Sequence, residues 1–328
     1  MQLVDIYDVI EEDLQVVQDI FAQTIISYQK SDPNMTMLLN AALGGGKVVR
    51  PALAFLSARC FDHKKHKEVV RSFAASAELM HIATLVHDDA IDKTDTRRGK
   101  PTINSYYGTE KAVLLGDFMF AKAAELVTNT GNIDVVRLFA NTLQTITTGE
   151  IKQSFDLLRY DQSIEDYNKR IYGKTASLIV MSAKGGAILC GANAKDIKAI
   201  SDYALNTGMA FQIVDDILDF TGDETKMGKP IGGDLKGGTI TLPTLYYIKD
   251  HPDNIIKKAF AENDEAKRQI MISKAVEEIA NSGNYIEKSY AQAIKYKNKA
   301  IEALKEIPDS KAKNNLIALS EYLIGRNV

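Results

Sequence analysis

The chain has 328 residues, 45% of them apolar and 25% charged, with a net charge of −3. That is ample apolar material for a buried core, and the slight negative balance leaves no basic footprint of the kind that displaces counterions from nucleic-acid phosphates. Disorder and nucleic acid as a partner are therefore argued against. Asp5, Asp8, Glu11, Glu12 and Asp13 crowd the start of the chain, the opposite of a positively charged signal peptide, and no window holds 18 uninterrupted apolar residues. The expected location is cytoplasmic. Cys60 and Cys190 stand without CxxC or CxxH spacing, so neither a disulfide framework nor a zinc site is indicated, and both are expected to be buried, reduced thiols.

Apolar residues recur with helical spacing, and few prolines interrupt them. The pattern predicts helices over Pro51–Cys60, Lys67–Lys93, Glu110–Thr128, Ile133–Leu158, Ser163–Cys190, Asp196–Phe220, Thr241–Lys249 and Ala266–Ile307. The expected fold class is all-α. Glycine pairs at Gly185–Gly186, Gly232–Gly233 and Gly237–Gly238, and the run Gly44–Gly46, punctuate the pattern. No linker, low-complexity tract or tandem repeat divides it, which predicts a single domain over residues 1–328.

Between Gly44 and Pro51 a glycine-rich turn enters a helix with proline near its first turn, where free N–H groups, Lys47 and Arg50 could converge on an anion. The spacing is not that of a P-loop, so nucleotide hydrolysis gains no support. Further on, Asp88, Asp89 and Asp92 form an Asp-Asp-x-x-Asp motif behind an apolar helical run, and Asp215, Asp216 and Asp219 repeat it. Residues i and i+4 stack on one helix face about 5–6 Å apart at Cβ, so Asp88 and Asp92 present carboxylates to one spot, as do Asp215 and Asp219. Asp89 and Asp216 point about a quarter-turn away and reach that spot only from its flank or through water. Like charges stacked in this way destabilise a helix, and a hard cation relieves them. Magnesium suits the pattern, because it takes one or two carboxylates from protein and completes its shell with water and substrate phosphates. Either motif alone could be a solvated acidic helix end. Two copies, each embedded in an apolar helix, favour the ion.

Cations and amides stand near both motifs. Arg97-Arg98-Gly99-Lys100 follows the first, and guanidinium groups bind phosphate oxygens bidentately. Lys174-Thr175 and Lys229-Pro230 are weaker signals on their own. Gln212 precedes the second motif by three residues and shares its helix face, where its amide could donate to a phosphate oxygen. For His81 and His87, a satisfied core histidine and a ligand contact are both open.

Taken in order, these motifs resemble the trans-isoprenyl diphosphate synthases, or polyprenyl synthetases, from Gly44 to about Pro243. The resemblance implies an all-α, single-domain barrel of antiparallel helices around a deep cavity, with the two aspartate motifs facing one another at its mouth. It implies a cytoplasmic prenyltransferase that condenses isopentenyl diphosphate with an allylic diphosphate, farnesyl or geranyl. The six aspartates would hold Mg2+, about three ions per site with substrate bound, and Asp88, Asp92 and Asp215 would be the direct ligands. Lys174, Arg97, Thr175, Gln212 and Lys229 would contact the allylic diphosphate. Lys47, Arg50, His81 and Arg98 match positions that hold isopentenyl diphosphate. One departure is that many relatives carry a lysine where this chain has Thr239.

Product length in such an enzyme depends on how far the growing tail passes below the first motif. Met80, Ala83 and Thr84 lie one and two turns beneath Asp88, and none is aromatic. Small Ala83 and Thr84 leave the floor open and flexible Met80 blocks it weakly, which predicts a product of about six to eight isoprene units, roughly C30–C40, for a quinone side chain. Ala83 could instead serve close helix packing. Gly232-Gly233-Asp234-Leu235 also resembles the catalytic subunit of two-component heptaprenyl synthases, so a homodimer and a heterodimer with a small helical subunit both stand. The product would be able to pass to a membrane. A geranylgeranyl diphosphate synthase, a terpene cyclase and a catalytically silent helical subunit are the alternatives. The first conflicts with the open floor, the second with the isopentenyl-site cations, the third with six intact aspartates.

Overall fold

A computed structural model describes residues 2–97, 99–222 and 231–325. In chain order the helices are α1 (Leu3–Tyr7), α2 (Glu11–Tyr28), α3 (Pro33–Ala42), α4 (Val49–Arg59), α5 (Lys67–Ile91), α6 (Ile103–Tyr107), α7 (Thr109–Thr128), α8 (Ile133–Phe155) and α9 (Ile164–Ile171). A π-helical turn, Tyr172–Ala176, joins α9 to α10 (Ser177–Leu189). There follow α11 (Ala194–Thr221), α12 (Gly233–Lys236), α13 (Leu242–Asp250), α14 (Ile255–Ala261), α15 (Glu265–Ser282), α16 (Asn284–Ala303) and α17 (Lys311–Ile324). Between α5 and α6 lies a two-strand hairpin, β1 (Thr96–Arg97) and β2 (Lys100–Pro101), the one sheet among the described residues. The expected all-α class holds.

Local chemistry sets many of these boundaries. Asp32 accepts from the Met35 N–H ahead of Pro33, which starts α3 with its φ already helical. Ser163 and Asp166 form a reciprocal capping box at α9. The stretch Ala266–Ile307 is not one helix, because Gly283 at φ 68° closes α15 and restarts the chain as α16. Helices α1 to α3, α6, α12, α14 and α17 lie outside the periodicity-based expectations.

The chain groups into two compact units, interleaved in sequence. Unit 1 comprises Met1–Thr142, Leu178–Ser201 and Leu304–Leu319, and unit 2 comprises Leu143–Ser177, Asp202–Ala303 and Ser320–Val328.

In unit 1, α5 packs against α4 and α7. Phe73, Met80, Ala83, Leu115 and Met119 are fully or nearly fully buried, and the hydroxyls of Ser72 and Ser76 each donate at 2.8 Å to carbonyls of Leu126 and Ala123. The stretch from His63 to Ile91 is long and apolar enough to pass for a membrane span by composition, but most of it is buried against these neighbours. The helix runs through Gly185 and Gly186, as expected. They sit inside α10, where a Cβ on Gly185 would meet the Phe73 ring at 2.1 Å and one on Gly186 the Ala54 carbonyl oxygen at 2.2 Å. Close backbone approach thus outweighs the roughly 1 kcal/mol helix penalty of glycine. Gly186→Ala is expected to destabilise the protein by about 1–3 kcal/mol, the range for overpacking, read as a lower urea midpoint at unchanged slope. An unchanged midpoint would refute the packing argument.

In unit 2 the end of α11 packs with α13, α15 and α16 around Ile213, Ile217, Phe220, Leu245, Ile272 and Ile279. The Tyr247 hydroxyl donates to Glu278, and Asn254 caps α14 while its amide donates to the Tyr160 hydroxyl at 2.6 Å.

Both cysteines are free. Cys190 is buried as expected, whereas Cys60 is half-buried and donates to the Leu56 carbonyl at 3.4 Å. Burial pushes the Cys60 thiol up to about 11 and the Cys190 thiol up to about 12, so neither is a nucleophile at neutral pH.

Candidate active site

The first aspartate motif closes α5 in unit 1. Asp92 is the C-cap, its N–H donating at 2.8 Å to the Asp88 carbonyl, which keeps the two residues one turn apart. Asp92 is exposed and Asp88 half-buried, while Asp89 is only 6% exposed. The Asp89 carboxylate accepts from Arg97 Nε at 2.9 and 3.0 Å and from Nη2 at 2.8 Å. Its partner sits on β1, where Arg97 pairs with Lys100 of β2. Burial works against the Arg97 charge, but the hydrogen bonds and charge of Asp89, with Asp88 and Asp92 behind it, prevail and push the guanidinium up. Arg98 lies outside the described residues.

Below this motif Met80 and Ala83 are fully buried, and half-buried Thr84 donates at 2.7 Å to the His81 carbonyl. His81 is half-buried. His87 turns to α7, its Nε2 2.9 Å from the Val113 carbonyl oxygen and 3.6 Å from Asp117. Gly116 makes room for that imidazole, since a Cβ there would lie 2.1 Å from Nε2. His87 is thus a satisfied packing histidine.

Lys47 and Arg50 flank the entry to α4. Gly45 and Gly46 have φ of 88° and 142°, and Val48 takes the left-handed region at φ 44° before α4 begins. The Tyr7 hydroxyl donates at 2.9 Å to the Lys47 carbonyl. Lys47 is exposed and Arg50 half-buried.

The second motif ends α11 in unit 2 and has the same inside and outside. Asp215 is exposed, Asp219 half-buried and Asp216 only 4% exposed. The Asp219 carboxylate accepts the N–H groups of Gly233 and Asp234, both at 3.1 Å, at the start of α12. Asp216 accepts from the Tyr167 hydroxyl at 2.7 Å and from Gln212 Nε2 at 2.8 Å. Burial, and then the charge of Asp234, push the Asp216 carboxyl up to about 8.

Gln212 therefore turns its N–H to Asp216, and its carbonyl accepts the Thr175 hydroxyl. Thr175 and Lys174 lie on the π-helical turn, an irregularity that often marks functional positions. Lys174 Nζ is 3.1 Å from Glu150. Lys229 lies outside the described residues. Around Thr239 the chain is held by backbone: its N–H donates at 2.8 Å to the Asp234 carbonyl, and Gly238 O accepts the Leu158 N–H at 2.9 Å. Arg170, whose guanidinium donates to the Ile240 carbonyl and to Gln162, anchors the adjoining residue.

Sequence reasoning did not find Tyr167 or Glu150. Tyr167 stands two helical turns before Lys174, a spacing that could have flagged it. Glu150 carries no local signal, because its link to Lys174 arises from packing.

The outer aspartates fit magnesium. Asp88 and Asp92 offer hard oxygen donors one helical turn apart, partly open to solvent. Among the described residues no three His, Cys, Asp or Glu side chains form a ready metal cage.

A family model described as Polyprenyl synthetase matches residues 32–279, a span that includes both motifs. Component 2 of the heptaprenyl diphosphate synthase of Geobacillus stearothermophilus is 37% identical over 329 aligned positions, covering 98% of each chain. A heptaprenyl diphosphate synthase from Staphylococcus aureus superposes with a TM-score of 0.90 at 33% identity, over 97% of this chain and 98% of that one. A polyprenyl synthase from Caulobacter crescentus CB15, solved with calcium and isoprenyl diphosphate, gives 0.86 at 29% identity over 100% and 98%. The chain belongs to the polyprenyl synthetase family. It is a prenyl-transferring enzyme with the all-α isoprenoid synthase fold, of a family that acts on isoprenyl diphosphates and binds them through divalent metal.

Proposed function

We propose that this enzyme elongates an allylic diphosphate with isopentenyl diphosphate to a linear product of about C30–C40, using magnesium at its aspartate motifs. The observation that carries the reading is the sorting of carboxylates within each motif. Asp89 and Asp216 are buried on protein partners, whereas Asp88, Asp92 and Asp215 retain solvent exposure. These three are the direct ligands in this reading, with about three ions per site when substrate is bound. When bound, the metal stabilises negative charge developing on the departing diphosphate.

The chain's own groups share that work. Lys174, Thr175 and the polar groups around them hold the allylic diphosphate, together with Lys229. Arg97 braces Asp89 and lends its charge to the first motif. Lys47, Arg50, His81 and Arg98 hold isopentenyl diphosphate, keeping its double bond near the allylic carbon. Fixed cations facing the leaving group favour ionisation because they need no reorganisation as charge develops. The proton lost after bond formation passes to the released diphosphate, so no dedicated protein base is required.

Two features support a medium or long product. No aromatic side chain stands at Met80, Ala83 or Thr84, and both heptaprenyl synthases described above are similar along nearly their whole length. The name "component 2" in the Geobacillus relative favours a second reading of assembly, in which a small partner subunit completes the enzyme.

Incubation of purified protein with magnesium, farnesyl diphosphate and labelled isopentenyl diphosphate tests both. Products of thirty to forty carbons are expected, roughly six to eight units. Termination at fifteen to twenty carbons, about three to four units, would overturn the reading of Ala83. Activity that appears only with an added helical partner would establish the heteromeric form. Removing divalent metal with EDTA is expected to abolish incorporation, and excess magnesium to restore it; incorporation that persists in EDTA would rule out the metal role.

A further inference from the structure

Tyr167 is fully buried, and its hydroxyl meets the second motif. Its ring packs in the unit 2 core with Ile213, Ile217 and Leu242, under the guanidinium of Arg170 at 5.5 Å. Its hydroxyl is the first link of a continuous hydrogen-bond chain. Tyr167 donates to Asp216 Oδ2, Gln212 Nε2 donates to Asp216 Oδ1, and the Thr175 hydroxyl donates to Gln212 Oε1.

The chain has a direction. Asp216 is an acceptor for both neighbours, so Gln212 must turn its N–H toward it and its carbonyl away. That leaves the carbonyl for Thr175, and the hydroxyl proton of Thr175 is fixed. An amide that could otherwise flip, and a hydroxyl that could otherwise rotate, each take one orientation. Thr175 is only 7% exposed and adjoins Lys174 on the π-helical turn.

We propose that Tyr167 is a positioning residue for the allylic diphosphate, acting through Asp216 to set the orientation of the Gln212 amide, whose second N–H stays available to a phosphate oxygen. The inference rests on the proposed allylic role of Lys174 and the polar groups around it. Tyr167 touches no substrate in it, and acts by holding the buried Asp216 carboxyl in place.

Tyr167→Phe removes the hydroxyl and keeps the ring in its core position. It is expected to weaken farnesyl diphosphate binding about tenfold, the loss of one buried hydrogen bond. The KM for the allylic substrate should rise in parallel, with the KM for isopentenyl diphosphate unchanged and kcat within about threefold. Calorimetry with farnesyl diphosphate and magnesium, without isopentenyl diphosphate, reads binding apart from turnover. The double variant Tyr167→Phe/Thr175→Val should bind no more weakly than Thr175→Val alone, because both cut one chain. Additive losses, equal rises in both KM values, or unchanged affinity would overturn the inference. Should Tyr167→Phe fail to fold, 3-fluorotyrosine at position 167 keeps the ring and the hydroxyl but alters the same hydrogen bond, and is expected to shift farnesyl diphosphate affinity with the KM for isopentenyl diphosphate unchanged. Wild-type protein that neither binds nor condenses farnesyl diphosphate overturns the allylic reading itself, and this inference with it; wild-type activity with an indifferent Tyr167→Phe overturns the inference alone.

Discussion

Asp88→Asn is expected to lower kcat by roughly 10²–10³-fold, the scale seen when one electrostatic contact to a developing charge is removed. Substitution keeps the size and hydrogen-bonding capacity of the side chain but takes away the charge that would hold magnesium. Because Asp88 is half-buried at the last turn of α5 and not wedged into the core, the unfolding midpoint should hardly move. Asp89→Asn provides the contrast within one motif: it withdraws the partner of the Arg97 guanidinium in a nearly inaccessible position, so stability should fall along with activity. Steady-state assays over a magnesium titration, paired with thermal melts, separate the two. Full activity in Asp88→Asn at limiting magnesium would remove Asp88 from the metal site.

A larger effect on stability is expected far from the chemistry. Asp13 of α2 is 3% exposed and lies 2.7 Å from Arg59 Nη2 of α4 and 2.8 Å from Arg71 Nη2 of α5, with Arg71 Nε also donating at 2.9 Å. One carboxylate thus joins three helices of unit 1 and balances two guanidiniums that are themselves mostly buried. Asp13→Ala leaves both cations in a poorly solvated place, and such broken buried pairs cost about 3–5 kcal/mol. Urea denaturation should show that loss, while the KM values of whatever folded enzyme remains should not change. A loss below about 1 kcal/mol would mean that water reaches both arginines once the carboxylate is gone.

The helices that carry the motifs were legible because their signals are local. α5, α7, α8 and α11 begin and end within a few residues of the spans read from apolar periodicity. The N-terminal helices were not, since Glu11–Tyr28 mixes acidic and apolar residues and its burial depends on α4 and α5, which come later in the chain. The helix through Gly185 and Gly186 was legible, but the reason for the pair was not: it becomes a contact surface once Phe73 and Ala54 are packed against it.

The site divides along the same line. The sequence by itself determined that two aspartate triplets end apolar helices and that, in each, the first and third members share a face, because helical geometry relates residues four apart wherever the helix lies. Which carboxylates remain open to solvent was decided by tertiary structure. Asp89 is drawn to a guanidinium on the following hairpin, and Asp216 to a phenol 49 residues away. Asp219 is drawn to the first N–H groups of α12. Burial and pairing depend on what the rest of the chain brings alongside, and no residue's own spacing encodes that.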